Sequence, residues 1–235
     1  MKVVDMEVPK NSKEAGSSKL AHKWRAAERT EMKQLYDKGC LVAVRREDIP
    51  AGQKVIPGMM VYAAKGDADG MLRKFKARFV AKGFYQREGI DFIATYAPVA
   101  TYTSIKMIIS TAAHLGLKAF QFDVEGAFLL PDIDVPLYIS DEHGNCYLCY
   151  KTLYGLKQSA NAWNRELHNE LTALGMTQSV IDPCVYTRLT KDGWMILACW
   201  VDDIIGACTT DNQIQEFLKE FKHPFSASGS FDYCL

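Results

Sequence analysis

Two adjacent carboxylates, Asp202 and Asp203, stand inside residues 195–208, a run that is otherwise apolar and rich in strand formers. Aspartate is almost never fully buried unless it is paired or binds a cation, so acids with strand-forming neighbours on both sides need a reason to be there. Two reasons are open: a tight hairpin turn whose side chains face water, or a shared divalent metal. A third acid shifts the balance toward the metal. Asp123 ends a similar segment, 118–124, and if the two segments lie side by side, three carboxylates converge across about eighty residues of chain.

The rest of the chain allows such a site. At 235 residues and 48% hydrophobic, it is long enough to bury a real core, as one large domain or two packed lobes. The formal net charge is zero, so a nucleic-acid partner would have to be met by a local patch rather than by the field of the whole molecule. One patch exists: residues 71–87 carry six basic side chains and no acid, interleaved with aromatics. The seven cysteines have no framework spacing and read as free thiols. Cys146 and Cys149 form a C-x-x-C without a second ligand pair at zinc spacing, so a strand is the better reading. The N-terminal residues lack the charged-then-apolar pattern of a signal peptide and no apolar stretch is long enough to span a bilayer, so the protein is expected to be soluble.

Periodicity places the elements. Residues 1–20 are polar and are expected to form a flexible tail. Trp24, Ala27, Met32 and Leu35 fall at helical spacing with Glu31 as the exception, and Gly39 is a natural cap. Strands are expected at 41–44, 59–65 and 72–81, the last two forming a hairpin that carries the basic patch. A core-facing helix at 103–115 leads into strand 118–124. Short strands at 137–140 and 147–151, a helix at 160–174, a hairpin at 185–189 and 194–201, and a helix at 212–221 complete the series. From residue 101 this order suggests an antiparallel or mixed sheet with helices on one face, for which a ferredoxin-like core fits.

Six blocks then stand in a fixed order: Trp24-Arg-Ala-Ala-Glu-Arg-Thr-Glu31; Lys76-Ala-Arg-Phe-Val-Ala-Lys-Gly-Phe84 with Gln86, Gly89-Ile-Asp91 and Thr95-Tyr-Ala-Pro-Val99; Gln121-Phe-Asp-Val-Glu-Gly-Ala-Phe-Leu129; Leu153-Tyr-Gly-Leu-Lys-Gln158 with Trp163; Asp182-Pro-Cys-Val-Tyr186; and Val201-Asp-Asp203. Together they resemble the reverse transcriptase domain of Ty1/copia-type LTR retrotransposons. The resemblance implies an α+β fold, a right-hand polymerase with fingers (21–100) and palm (101–235) and no thumb, which adds dNTPs to a primer 3′-OH on an RNA or DNA template. It implies two Mg²⁺ ions, or Mn²⁺, held by Asp123, Asp202, Asp203 and the backbone carbonyl of Val124. It also implies Phe128 under the sugar, Lys76 and Arg78 (with Lys82) on triphosphate or template, and Gln158 beside the incoming nucleotide.

Simpler readings stay open beside these: a core aromatic for Phe128, a solvated strand face for Lys76 and Arg78, a surface loop for Gln158, and core packing for Trp163. The same resemblance implies a polyprotein context with RNase H and integrase, no membrane partner, and a cytoplasmic virus-like particle or the nucleus as compartment. Trp200 departs from the family's tyrosine before Val-Asp-Asp, and Leu130-Pro131 from its Asn-Gly. Residues 231–235 resemble only the start of the next family block, so thumb, connection and RNase H are expected to be absent. A non-catalytic nucleic-acid-binding scaffold is the rival reading. A metal-dependent nuclease is weaker, because no His or Lys adjoins the carboxylates in sequence to act as a base.

Overall fold

The computed structural model describes residues 2–3, 6–191 and 193–227, so the block at 231–235 lies outside the described residues. Contacts group the chain into two units, Met1–Thr95 with Phe128–Ser159, and Tyr96–Ala127 with Ala160–Leu235. In chain order the elements are α1 (Ser12–Ser17), α2 (Ala21–Asp37), β1 (Leu41–Val44), β2 (Val55–Gly66), β3 (Leu72–Ala81), α3 (Tyr102–Leu115), β4 (Lys118–Val124), β5 (Asp132–Ser140), β6 (Cys146–Lys151), α4 (Ser159–Ala173), β7 (Thr177–Gln178), β8 (Val185–Thr190), β9 (Gly193–Trp200), β10 (Asp203–Cys208), α5 (Asp211–Glu220) and β11 (Phe225–Ala227). The chain is thus a mixed α+β protein.

The first unit holds a five-stranded sheet in the order β1-β6-β5-β2-β3, antiparallel except for the parallel pair β2 and β5. In β3 the two-residue period buries Ala77, Phe79 and Ala81 and turns Lys74, Lys76 and Arg78 to the opposite face. Glu31, the exception in the apolar pattern of α2, is itself buried. Its carboxylate accepts the Phe79 N–H (3.1 Å) on β3, the edge strand, so it satisfies a donor that no neighbouring strand would meet.

Two expectations change here. Within residues 1–20, the Asn11 side chain caps α1 by accepting the Glu14 N–H (2.9 Å), and Ala15 is fully buried in a cluster with Trp24, Tyr62 and Ala77. A cap and one buried methyl order this polar stretch without any visible hydrophobic run. The strands expected within 101–235 at 137–140 and 147–151 belong instead to the first unit, because β5 pairs with β2 and β6 with β1, and such non-local pairing leaves no mark on local sequence. Cys146 and Cys149 lie three apart on β6 and therefore on opposite faces, which rules out a shared metal.

The second unit is built on a six-stranded antiparallel sheet, β11-β4-β10-β9-β8-β7. In β4, buried Phe120, Phe122 and Val124 alternate with Gln121 and Asp123. Helix α5 and its C-cap residue lay Phe217 and Phe221 against Phe122, at ring separations of 6.1 and 5.4 Å. Helix α3 packs on β9 and β10, and residues 204–208 of β10 are all buried. Among the described residues no helix is long and apolar enough to cross a membrane.

Asp182 fastens this unit. Its carboxylate accepts the Thr101 N–H (2.9 Å) and the Ser104 hydroxyl (2.6 Å) at the start of α3, and the Cys184 N–H (3.0 Å) in its own loop. Burial pushes its pKa up, but these hydrogen bonds outweigh burial and hold it below the usual carboxylate value. Asp182→Ala is expected to destabilise the chain by about 2–3 kcal/mol at neutral pH in urea unfolding. Because the folded pKa is depressed, that stability is present above the unfolded value of about 3.9 and is lost as pH falls through the folded one. A variant deficit that stays constant into acid would contradict this assignment.

Candidate metal centre

The register of two strand pairs assembles the carboxylates. Strands β9 and β10 close with Trp200 opposite Asp203, leaving Val201 and Asp202 as a two-residue turn. Strand β10 also pairs with β4, which sets Asp203 directly across from Asp123. The Val124 N–H donates to the Asp202 carbonyl (2.8 Å) and ties the turn to the end of β4. One oxygen from each of Asp123, Asp202 and Asp203 lies within 4.8 Å of the others, the one such group of potential ligands among the described residues. Gln121 donates to Asp203 at 3.4 Å.

Like charges directly opposed on a ladder repel, and a cation between them removes that cost. The donor set is all hard oxygen and none of the three acids is fully buried, which fits Mg²⁺ or Mn²⁺, ions that keep water and substrate oxygens in their shell. Asp123, Asp202 and Asp203 are the residues that would hold it.

The turn itself is strained. Val201 has φ 57°, the one positive φ among the described residues other than glycine, at the first central position of a two-residue hairpin loop. That position in a type II′ turn ordinarily takes glycine, and a β-branched residue is among the least tolerant of it. Trp163, on α4 and almost wholly buried, donates its indole N–H to the Val201 carbonyl (2.7 Å) and secures the unfavourable conformation. Val201→Gly is expected to stabilise the fold by about 0.5–1 kcal/mol, the relief of left-handed strain less the glycine entropy. A lower denaturation midpoint for that variant would show that the side chain's packing, not its φ, dominates.

The remaining site residues read from sequence all lie in the first unit. Lys76 and Arg78 are half-buried on the face of β3 opposite Ala77 and Phe79, and burial, followed by the charges of Arg78, Lys65 and Lys74, lowers the Lys76 pKa, with Glu31 opposing. The Arg78 guanidinium lies over the Tyr154 ring, 5.2 Å from its centroid. Phe128 is half-buried, meets Tyr154 edge-on at 6.1 Å, and its carbonyl accepts the Thr152 hydroxyl (2.8 Å). Gln158 is buried rather than on a loop surface. Its Oε1 accepts from Gln86 (2.9 Å) and its Nε2 donates to the Asp91 carbonyl (3.3 Å).

Residues 43–231 match the family model described as reverse transcriptase (RNA-dependent DNA polymerase). The chain belongs to that family. Relatives place it among Ty1/copia-type polyproteins. It is 33% identical over 86% of its length to the retrovirus-related Pol polyprotein from transposon TNT 1-94 of Nicotiana tabacum, covering 16% of that protein. It is 34% identical over 75% of its length to the Pol polyprotein from transposon RE1 of Arabidopsis thaliana, covering 13%. Identity is 25% over 72% of the chain to the transposon Ty1-DR4 Gag-Pol polyprotein of Saccharomyces cerevisiae, covering 10% of it. The chain therefore spans less than a fifth of these relatives' lengths. The likeness to the foamy viral protease-reverse transcriptase in complex with ds DNA, at 13% identity and a TM-score of 0.48 over 87% of this chain and 30% of that one, is too remote to carry an argument.

Two blocks of this reverse transcriptase family meet backbone to backbone. A Cβ on Gly83 would sit 2.1 Å from the Gly155 carbonyl oxygen, and one on Gly155 would sit 2.2 Å from that of Ala81. The Lys-Gly-Phe and Leu-Tyr-Gly motifs thus need glycine for close approach, and Gly155 also for its φ of 86°. Sequence reading missed the strained conformation of Val201 beside the carboxylates, of which a valine in a tight turn is the only sign in sequence.

Proposed function

We propose that the chain is the fingers and palm of an RNA-directed DNA polymerase, the first unit being the fingers and the second the palm. The observation that carries this reading is the convergence of Asp123, Asp202 and Asp203. In the reaction the primer 3′-oxygen attacks the α-phosphorus of a dNTP, the α–β bridging bond breaks, and pyrophosphate leaves. Two divalent cations, when bound, supply Lewis-acid activation of the attacking oxygen and neutralise the leaving group. The three carboxylates would hold those ions, with the Val124 carbonyl as a further ligand, and the strained turn keeps Asp202 and Asp203 at a fixed point.

Lys76 and Arg78 bind the triphosphate or template phosphates by charge-assisted hydrogen bonds. The Lys76 pKa, lowered first by burial and then by neighbouring cations, fits a group that an arriving anion would stabilise in its charged form. Phe128 lies under the sugar, where a ring excludes a 2′-hydroxyl and favours deoxynucleotides. Template, primer and dNTPs are the partners, and the setting is a polyprotein in a cytoplasmic particle or the nucleus.

The test is single-nucleotide incorporation on an RNA template at high enzyme concentration with Mg²⁺ or Mn²⁺. Metal-dependent addition is the expected result, and no product with either metal would move the assignment to a nucleic-acid-binding scaffold. Changing Lys76 and Arg78 together to Ala is expected to weaken primer-template or dNTP binding and to flatten its salt dependence, by roughly one unit of slope for each phosphate that is no longer neutralised. Unchanged affinity and slope would return the patch to solvent.

A further inference from the structure

We propose that Tyr154 is a substrate-positioning residue. It would hold Arg78 and Phe128 in the arrangement that selects a deoxyribonucleoside triphosphate over a ribonucleoside triphosphate. This rests on the reading of those two residues given above. One ring touches both: the Arg78 guanidinium lies on it, 5.2 Å from the centroid, and Phe128 meets it edge-on at 6.1 Å with the planes 83° apart. A guanidinium seated on a ring face is oriented by that ring, the Glu31 carboxylate lies close enough to couple with its charge, and the Arg78 Nε is buried without a hydrogen-bond partner.

Tyr154 is anchored from below. Its carbonyl accepts the Ala81 N–H (2.9 Å), and the following Gly155 packs so tightly on the Ala81 carbonyl that no side chain fits there. These contacts tie Tyr154 to the end of β3, the strand that carries Arg78. Gln158, which the family resemblance matched to the nucleotide, is committed to Gln86 and Asp91 beneath the surface. The neighbour shared by the phosphate-binding and sugar-facing groups is Tyr154.

Discrimination between ribose and deoxyribose depends on a single oxygen, so the ring facing the sugar must not yield. A Phe128 free to tilt would admit the 2′-hydroxyl, and the edge of Tyr154 restricts that tilt. Arg78, placed by the same ring, sets where the triphosphate and hence the sugar come to rest. Both contacts are made by the ring rather than the hydroxyl.

The test compares native chain, Tyr154→Phe, Tyr154→Ala and Phe128→Ala in single-turnover incorporation of a dNTP and its matching rNTP, with equilibrium binding of each nucleotide and the thermal midpoint measured in parallel. Tyr154→Phe is expected to behave as native. Tyr154→Ala is expected to raise the dNTP KM and to relax the dNTP:rNTP preference, each by about tenfold, with a smaller change in kcat. Equal losses for both nucleotides in Tyr154→Ala, or equal damage from Tyr154→Phe, would overturn the proposal while leaving Phe128 as sugar gate if Phe128→Ala relaxes the preference. A Phe128→Ala variant with native preference would overturn the sugar-gate reading and this proposal with it.

Discussion

Asp202→Asn is expected to lower single-nucleotide incorporation by about a thousandfold while leaving the folded chain at least as stable, since transition-state charge stabilisation by a bound cation is worth several kcal/mol and each 1.36 kcal/mol is a factor of ten. Asparagine keeps an oxygen but removes a charge from a group of three carboxylates gathered within 4.8 Å. Mutual repulsion falls, so the thermal midpoint without metal is expected to rise, more at low ionic strength than at high. Added Mg²⁺ is expected to stabilise the native chain, because a ligand that binds only the folded state shifts the equilibrium by mass action, and to do so much less in the variant. The opposite signs of the two effects separate a site residue from a structural one. Equal incorporation by native and variant chains would assign the activity to another centre, and a variant that melts lower would show that Asp202 serves the fold.

Gly155→Ala carries the largest expected loss of stability. Its φ of 86° disfavours any side chain, and the added methyl carbon would lie 2.2 Å from the Ala81 carbonyl oxygen, a backbone atom that cannot rotate away. Left-handed strain of about 1–2 kcal/mol and overpacking of about 1–3 kcal/mol together give a destabilisation of roughly 3 kcal/mol or more. That is a large part of a domain's usual margin of about 5–15 kcal/mol. Urea unfolding measures it, and Gly175→Ala is the control. Gly175 has a similar φ of 76° but only one side-chain atom, at 3.8 Å, near its Cβ position, so its loss should be confined to strain. Equal losses at the two glycines would show that the close approach between the motifs contributes nothing.

Local pattern was enough for many elements. The four-residue strand at 41–44, the strands at 72–81 and 118–124, and the helix from Ala21 follow from two-residue and 3.6-residue periods and from glycine caps, and those signals lie within the segments themselves. The three aspartates were legible for a related reason: a charge inside an apolar strand pattern has no local justification, so it points to a partner elsewhere. The family blocks were legible because their order along the chain is itself sequence information.

What lay beyond the sequence was every feature that depends on two distant segments meeting. Pairing of β5 with β2 drew residues 128–159 into the first unit, although the segments on both sides of them belong to the second. Glu31 broke an apolar stripe on paper, yet it is buried because the edge strand β3 offers it a backbone donor. Gln158 is held under the surface by Gln86 and Asp91, and Tyr154 instead bridges Arg78 and Phe128. Composition and spacing thus determined which residues are chemically out of place and what elements carry them. Only the tertiary structure decided which of them meet, because strand register and backbone approach at Gly83 and Gly155 are set by the packing of segments far apart in the chain.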